Sequence, residues 1–253
     1  MCSARKTIDL TDLTLLVPDK ADEERDAVCL AWSTRGGNIV RLARFWEPPS
    51  TLQPQAIRLY GNDTFCLVVA QKLGLNLVSP PDDLPKSISR QWWQRDVRVM
   101  SLADVRAQLF PAFVKPIVPK QFTARVYGSV EALDQECRGL EASIEVLRSA
   151  IVTFEAEARA FVLDGQVLDC AIYEGNAEIK EAKAFAQEFC DGATLPATCV
   201  VDVGLIKGQG WAFIEANASW GAGLNGCDAD RVLPAIERAT RMAEPENLRK
   251  DRK

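Results

Sequence analysis

The stretch that most constrains the fold of this chain lies near its end, over residues 200–217. Two apolar runs rich in β-branched and aromatic residues, 200–206 and 211–217, flank the four turn-forming residues 207–210. Apolar runs separated by a short glycine-containing turn are typical of a β-hairpin. The sequence therefore predicts two paired antiparallel strands at this place.

The register of this hairpin brings two acidic residues together. With that turn, Ile206 pairs with Trp211, and counting back along both strands places Asp202 opposite Glu215. Asn217 projects from the same face, because side chains alternate along a strand. Like charges across a ladder repel unless a cation lies between them. Oxygen ligands without sulfur or imidazole suit Mg²⁺, so we predict a magnesium site; the alternative is a surface hairpin whose acids are solvated.

Composition limits the class of protein. Of the 253 residues, 47% are hydrophobic and 26% are charged, as in globular proteins with one large domain or two to three small ones. No apolar run reaches the ~18–20 residues that span a bilayer, and no signal sequence is evident, so we expect no membrane partner. The net charge of −5 argues against general nucleic-acid binding. The absence of histidine excludes Ser-His-Asp and Cys-His catalysis.

Eight cysteines are scattered along the chain without a CxxC pair. Several lie inside apolar runs, where reduced thiols act as small hydrophobic side chains. We therefore expect neither a disulfide framework nor a zinc site, and we expect a cytoplasmic protein.

The first 85 residues predict a small α/β domain. Three apolar runs there have the length of strands, at residues 13–17, 27–32 and 56–60. A helix follows, with Asn62 or Asp63 as its cap and Gly74 at its end. No G-x-G-x-x-G or P-loop pattern occurs there. The proline-rich residues 79–85 are the candidate linker to a second domain over residues 86–253.

Basic residues early in the second domain are candidates for anion binding. Residues 90–98 place three arginines beside two tryptophans, a combination that binds anions or stacks on a base. The alternative, a helix with one packed tryptophan and solvated arginines, is favoured. Lys115 ends a predicted strand, and Lys120 follows in a predicted hairpin. A lysine at a strand end holds a phosphate as a point charge, whereas a lone lysine is more often solvated surface.

The rest of the second domain alternates helices with strands. Its predicted elements are amphipathic helices over residues 130–147 and 177–190, and strands over residues 150–154, 157–163 and 167–173. Asp164 and Gly165 join the last two strands through a type I′-like turn. Glu157 and Arg159 project from one strand face; the alternative to a functional pair is a cross-strand ion pair of little value if exposed.

Taken in order, these residues resemble the ATP-grasp superfamily. The shared phrases are Phe113-Val-Lys-Pro116, Arg159-Ala-Phe-Val-Leu-Asp-Gly165, Asp202-Val-Gly204 and Glu215-Ala-Asn-Ala-Ser-Trp-Gly221. They are most similar to a clade of small bacterial and phage ATP-grasp proteins of undefined substrate, over most of residues 110–240. The resemblance implies an α/β (α+β) fold, in which two lobes of antiparallel sheet and helices clasp the nucleotide. The lobes would cover about residues 95–150 and 151–243, after the N-terminal domain of residues 1–85.

The resemblance also implies two ligands, ATP and Mg²⁺, and a role for each site residue. Lys115 would contact the α- and β-phosphates, Glu157 would hold the ribose, and Arg159 would face the acyl-phosphate. Backbone groups of the hinge would bind adenine, and the hairpin would bind the metal. The hinge residues are Ser149, Ala150, Ile151 and Val152, and the metal ligands are Asp202, Glu215 and Asn217.

Three departures from the superfamily pattern bear on catalysis. Residues 117–122 replace the glycine-rich phosphate loop, so Lys120 is expected to take the place of backbone amides. The lysine usual at the start of the preceding helix has no counterpart at residues 62–64. The arginine usual two residues before the metal aspartate is Val200. Neutralisation of the transferred phosphoryl group is then expected from Lys180, Lys183 or an arginine of residues 90–98.

The function that the resemblance implies is an ATP-dependent carboxylate–amine ligase. It would form an acyl-phosphate and release ADP and phosphate, with small-molecule or peptide carboxylates and amines as its partners. A homodimer is left open. Two alternatives also remain: a non-catalytic nucleotide-binding module, which the missing lysine and arginine favour, and a structural α/β protein whose acidic hairpin is an ordinary polar face.

Overall fold

A computed structural model describes residues 8–49 and 51–243 of the chain. Its strands are β1 Thr14–Pro18, β2 Asn38–Leu42, β3 Ile57–Leu59, β4 Leu75–Leu77, β5 Val97–Ser101, β6 Ala112–Pro116, β7 Arg125–Tyr127, β8 Glu145–Ser149, β9 Phe154–Leu163, β10 Gln166–Gly175, β11 Thr198–Ile206, β12 Gly210–Asn217 and β13 Thr240–Met242. Its helices are α1 Glu23–Thr34, α2 Asp63–Leu73, α3 Leu84–Ser87, α4 Arg90–Trp93, α5 Leu102–Arg106, α6 Val130–Glu136, α7 Ile179–Gly192 and α8 Ala229–Arg238. The predicted domains also include residues 1–7, 50 and 244–253, which lie outside the described part.

The strands form four sheets within the described residues. β1, β2 and β3 form a parallel sheet in the order β2-β1-β3, and β4 pairs with β13. The other two are antiparallel, in the orders β5-β8-β6-β7 and β10-β9-β11-β12. This mixture of helices with antiparallel sheets confirms the predicted α+β class. The predicted boundary at residue 85 stays a prediction. None of the described helices is long and apolar enough to cross a membrane.

Helix α1 corrects one strand prediction, because residues 27–32 lie inside it rather than in a strand. The side chain of Asp22 caps the helix by accepting a hydrogen bond from the Arg25 backbone amide. Acidic residues fill the first turn, where they complement the helix dipole. Val28 and Trp32 are buried one turn apart, so the apolar run has helical spacing as well as strand length.

Helix α2 confirms the predicted cap and stop. The side chain of Asn62 accepts a hydrogen bond from the Phe65 amide, and Gly74 ends the helix in the left-handed conformation, at a φ of 64°. That backbone conformation is readily adopted only by glycine among the common residues.

The predicted long helix over residues 130–147 is wrong. Helix α6 ends at Glu136, and residues 145–149 form β8, the second strand of the antiparallel sheet β5-β8-β6-β7. Gly139 adopts a positive φ of 84° between them. Val146 and Leu147 are buried between β5 and β6, so strand pairing outweighs the helical spacing of the apolar residues.

The sheet β10-β9-β11-β12 is packed on both faces. Small side chains of β9, such as Ala158 and Ala160, lie under α7, where Phe189 stacks on Phe213 with a centroid distance of 4.6 Å. Helix α7 closely matches its predicted range. On the opposite face, Phe161 packs with residues of α8. The polar residues of the candidate site share this second face.

Candidate active site

The acidic hairpin has the predicted pairing but reaches it by a different route. The turn contains only residues 207–209, and Ile206 pairs with Gly210. A β-bulge follows, with Ile214 as the extra residue between the pairs Val203–Phe213 and Asp202–Glu215. Without this bulge, Asp202 would face Ile214, and Glu215 would turn toward α7. The bulge therefore places both carboxylates on one face.

Arg159 neutralises the first of these carboxylates. Its Nε and Nη2 atoms donate hydrogen bonds of 2.8 and 2.7 Å to the two carboxylate oxygens of Asp202. The side chains of Asp202 and Arg159 are only 3% and 12% exposed. Burial raises the pKa of Asp202, although the hydrogen bonds and charge of Arg159 oppose this effect. The sequence-based prediction of a raised carboxyl pKa is therefore confirmed in direction, with burial rather than repulsion as its main cause.

Lys115 and Asn217 hold the second carboxylate. The Lys115 Nζ atom lies 3.3 Å from Glu215 Oε2, and Asn217 Nδ2 donates to Glu215 Oε1 at 3.0 Å and to Asp202 Oδ2 at 3.3 Å. Burial favours protonation of Glu215, but the charge of Lys115 and the hydrogen bonds outweigh it, so the pKa of Glu215 is lowered. Without a metal ion, an ammonium and a guanidinium balance the two acids.

The donor set of the hairpin fits a hard divalent cation that shares its coordination sphere. Asp202, Glu215 and Asn217 offer oxygen donors of the type that Mg²⁺ prefers. In the observed orientation Asn217 directs its nitrogen at both acids, and rotation of the amide would present its oxygen instead. No cluster of three or more Asp, Glu, Cys or His side chains suited to a metal occurs among the described residues. A magnesium ion here would therefore need phosphate or water oxygens as further ligands.

A cavity of about 310 Å³ lies beside the second carboxylate. Its polar end carries Lys115, Lys120, Glu215 and Asn217. The remainder is largely apolar and is lined by the linker, the small sheet and the bulged strand: Pro80, Pro81, Leu84, Pro85, Trp93, Pro116, Ile117, Pro119, Phe122, Ala124, Phe213, Ile214 and Ala216, with Asp82 at its edge. An apolar chamber with charged groups at one end is the usual form of a nucleotide cleft.

The predicted hinge does not line this cavity. Residues 150–153 form no strand, contrary to prediction. Ser149 is buried and accepts a hydrogen bond from Arg95 Nε, while the Ala150 amide donates to the Asp96 carbonyl. The side chain of Ile151 is exposed, and Val152 is partly buried. A role of residues 149–152 in adenine binding remains a prediction.

Glu157 lies on the same strand as Arg159, two residues away. Its carboxylate accepts a 2.6 Å hydrogen bond from the hydroxyl of Tyr173 on β10, and this tyrosine also lies under the Arg159 guanidinium. Burial and the hydrogen bond to Glu157 raise the pKa of Tyr173. Sequence reasoning missed Tyr173, because a tyrosine within a strand resembles any other apolar strand residue.

Two other predicted basic residues lie apart from this cluster. Lys120 has a left-handed backbone with a φ of 67°, and its Nζ atom lies 2.8 Å from Asp63 at the start of α2. Lys180 is exposed in the first turn of α7, with no ion pair or side-chain hydrogen bond in the described residues. The structure therefore brings Lys120 to the cavity rim and leaves Lys180 outside the cluster.

The aromatic-basic segment of residues 90–98 combines both interpretations of its sequence. Both tryptophans are buried, which agrees with the packing alternative. Arg95 lies within 5.3 Å of the Trp93 ring and 5.5 Å of the Phe154 ring, and donates hydrogen bonds to the carbonyls of Trp93 and Phe213. Burial lowers the pKa of Arg95 to about 10, which still leaves the guanidinium charged at neutral pH. Sequence spacing alone did not separate Arg95 from its neighbours.

A family comparison identifies the chain. The model of an ATP-grasp domain family, family 2 of its clade, matches residues 92–235, more than half of the 253 residues. The chain belongs to this ATP-grasp family. The matched region contains Lys115, Arg159 and the whole acidic hairpin. A comparison with curated protein sequences finds no match.

Solved structures extend the ATP-grasp likeness to most of the chain. The RimK domain protein ATP-grasp from Sphaerobacter thermophilus has a TM-score of 0.59 at 16% identity, covering 88% of this chain and 99% of that one. The ATP-grasp ligase PsnB with precursor peptide PsnA2 and AMPPNP has a TM-score of 0.51 at 14% identity, covering 93% and 99%. D-alanine–D-alanine ligase from Bacillus anthracis has a TM-score of 0.54 at 11% identity, covering 90% and 97%. At such identities the likeness shows a shared fold.

Proposed function

We propose that this ATP-grasp protein is an ATP-dependent carboxylate–amine ligase that works through an acyl-phosphate. The observation that carries the proposal is the convergence of Lys115, Glu215, Asn217, Asp202 and Arg159 on one sheet face beside a cavity of about 310 Å³. Such a site positions reactants and neutralises charge, and phosphoryl transfer needs little else from a protein. It also operates without the histidine that the chain lacks.

The proposed reaction has two steps. A carboxylate oxygen of the first substrate attacks the γ-phosphorus of ATP, the bond from that phosphorus to the ADP oxygen breaks, and an acyl-phosphate forms. A neutral amine then attacks the acyl carbon, phosphate leaves with the electron pair of the carbon–oxygen bond, and the amine loses its proton to water. The products are an amide, ADP and phosphate.

Each charged side chain has a role in this proposal. Lys115 binds phosphate oxygens as a point charge, and Asp202, Glu215 and Asn217 hold Mg²⁺. The bound metal ion supplies neutralisation of phosphate oxygens. Arg159 donates to the acyl-phosphate after one of its hydrogen bonds to Asp202 is exchanged. Lys120, at the cavity rim, is the proposed replacement for the phosphate loop.

The proposed substrate class is an amino acid or peptide. Among structural neighbours, PsnB is described as a ligase in complex with a precursor peptide, and another neighbour is a D-alanine–D-alanine ligase. These descriptions support the class of carboxylate and amine without specifying the compounds.

One observation favours the alternative of a non-catalytic nucleotide-binding module. Asp202 gives both of its oxygens to Arg159, so metal binding at this aspartate has to compete with a buried ion pair. A module that binds ATP only through Lys115 and Glu215 would leave that pair intact.

The test is ADP release with Mg²⁺-ATP, screened against amino acids and peptides as acid and amine, with product masses measured alongside. A ligase releases ADP only when both substrates are present, and Glu215→Gln abolishes this release. ATP binding without ADP release from any pair supports the binding module. Absence of ATP binding contradicts both proposals.

A further inference from the structure

The loop of residues 221–226, here called the glycine loop, is held by a carboxylate from a distant part of the chain. Glu24, on α1, accepts a hydrogen bond from the Leu224 amide at 3.0 Å and another from the Asn225 amide at 2.7 Å. Its two oxygens thus bind two successive backbone amides, an arrangement that favours a negative charge.

The shape of the glycine loop accommodates this contact. A Cβ atom built on Gly223 would lie 2.4 Å from Glu24 Oε2, closer than side-chain atoms can approach. Glycine at this position therefore allows the carboxylate to reach the amides. A second contact supports the same docking, because the Tyr60 hydroxyl donates to the Ala222 carbonyl at 2.9 Å.

The opposite side of the glycine loop contacts the candidate active site. The Gly223 carbonyl accepts a 3.0 Å hydrogen bond from Arg159 Nη1, while the other two donor atoms of this guanidinium bind Asp202. Displacement of the glycine loop would remove one of the three hydrogen bonds that fix the Arg159 guanidinium. Glu24 is therefore connected to Asp202 through one backbone segment and one side chain.

From this chain of contacts we infer that Glu24 is a positioning residue. It holds the glycine loop so that the Gly223 carbonyl fixes Arg159 for the acyl-phosphate step. This inference rests on the proposed ligase function for its effect on turnover, but the effect on the loop itself does not depend on turnover. Partners in the outer shell of a site typically change activity by about 10- to 100-fold when they are removed.

The experiment compares Glu24→Ala with Glu23→Ala. Glu23 lies next to Glu24 in the first turn of α1, carries the same charge, is exposed, and has no side-chain hydrogen bond in the described residues. In Glu24→Ala, hydrogen exchange of the peptide covering residues 221–226 should be faster, and kcat should fall about 10- to 100-fold with the KM for ATP unchanged. Glu23→Ala should match the wild type in both measurements. Glu24→Gln, which keeps one acceptor oxygen, should lie between them.

A double variant tests the route of the effect. Since Glu24 acts through Arg159, adding Glu24→Ala to Arg159→Lys should lower kcat much less than it does in the wild type. Unchanged exchange in the glycine loop of Glu24→Ala overturns the inference even if the protein shows no turnover. Faster exchange without any loss of turnover also overturns it, as does an equal loss in Glu23→Ala. Failure to find a ligase reaction, with faster exchange intact, would contradict the proposed function and leave the Glu24 contact supported.

Discussion

Arg159 and Asp202 form a doubly hydrogen-bonded ion pair across the neighbouring strands β9 and β11, directly opposite each other in the ladder. Both side chains are largely removed from solvent. An ionised group that loses its partner in such surroundings is costly, because neither water nor another charge replaces the lost contact. The pair therefore joins the chemistry of the candidate site to the stability of the fold.

Arg159→Met should lower the free energy of unfolding by about 3–5 kcal/mol, the usual result of leaving one buried charge without its partner. The matched control is Arg125→Met, which removes an exposed pair with Glu136 and should cost about 0–1 kcal/mol. Urea unfolding at pH 7 measures both. The loss in Arg159→Met should shrink as the pH falls, because the pKa of Asp202 is already raised and protonation removes the buried charge. Equal losses for the two variants would contradict the account of this pair.

Glu215→Gln should have a small effect on the stability of the free protein. The pKa of Glu215 is lowered, so its ionised form stabilises the fold above its unfolded pKa, and this contribution is lost as the pH falls through the folded pKa. Because its side chain is 43% exposed, we expect the loss at pH 7 to be below about 1 kcal/mol. The stabilisation by Mg²⁺-ATP should nevertheless disappear. Thermal unfolding with and without Mg²⁺-ATP separates these effects, and a retained ligand shift would remove Glu215 from the proposed metal site.

The thiols of the described cysteines should be inert in the folded protein. All seven are free and buried. Burial raises the pKa of Cys170, Cys190, Cys199 and Cys227 to about 12, so almost none of these groups is a thiolate at pH 8. A Cys2→Ser variant, which leaves only these seven thiols, should react with a thiol reagent at pH 8 only after denaturant is added. Rapid reaction without denaturant would contradict the buried arrangement.

The sequence predicted the facing of Asp202 and Glu215 but not the bulge that produces it. Alternation along a strand identified which residues share a face, whereas the extra residue at Ile214 has no marker such as glycine or proline. An error of one residue in the turn and the bulge cancel each other. The superfamily resemblance rested on several phrases at once and was therefore less sensitive to such a shift.

Two helix predictions failed for a common physical reason. The apolar residues at 27–32 suit either a strand or a helix, and the cap at Asp22 decides for a helix. Val146 and Leu147 continue a helical spacing, yet pairing with β5 and β6 makes them part of a strand. Contacts between distant parts of the chain decide such segments, and the same holds for Glu24, whose partners lie 200 residues away in the sequence.

The central claim is that Lys115 and the acidic hairpin bind Mg²⁺-ATP, and thermal unfolding with this ligand tests it most directly. At about a hundredfold excess over its dissociation constant, Mg²⁺-ATP should stabilise the wild type by ~2.7 kcal/mol, and removal of Mg²⁺ with a chelator should abolish most of this gain. Lys115→Ala should lose the stabilisation, whereas Lys207→Ala, which removes an exposed lysine from the hairpin turn, should retain it. An unchanged Tm of the wild type with Mg²⁺-ATP, or an equal shift in Lys115→Ala, would contradict the claim.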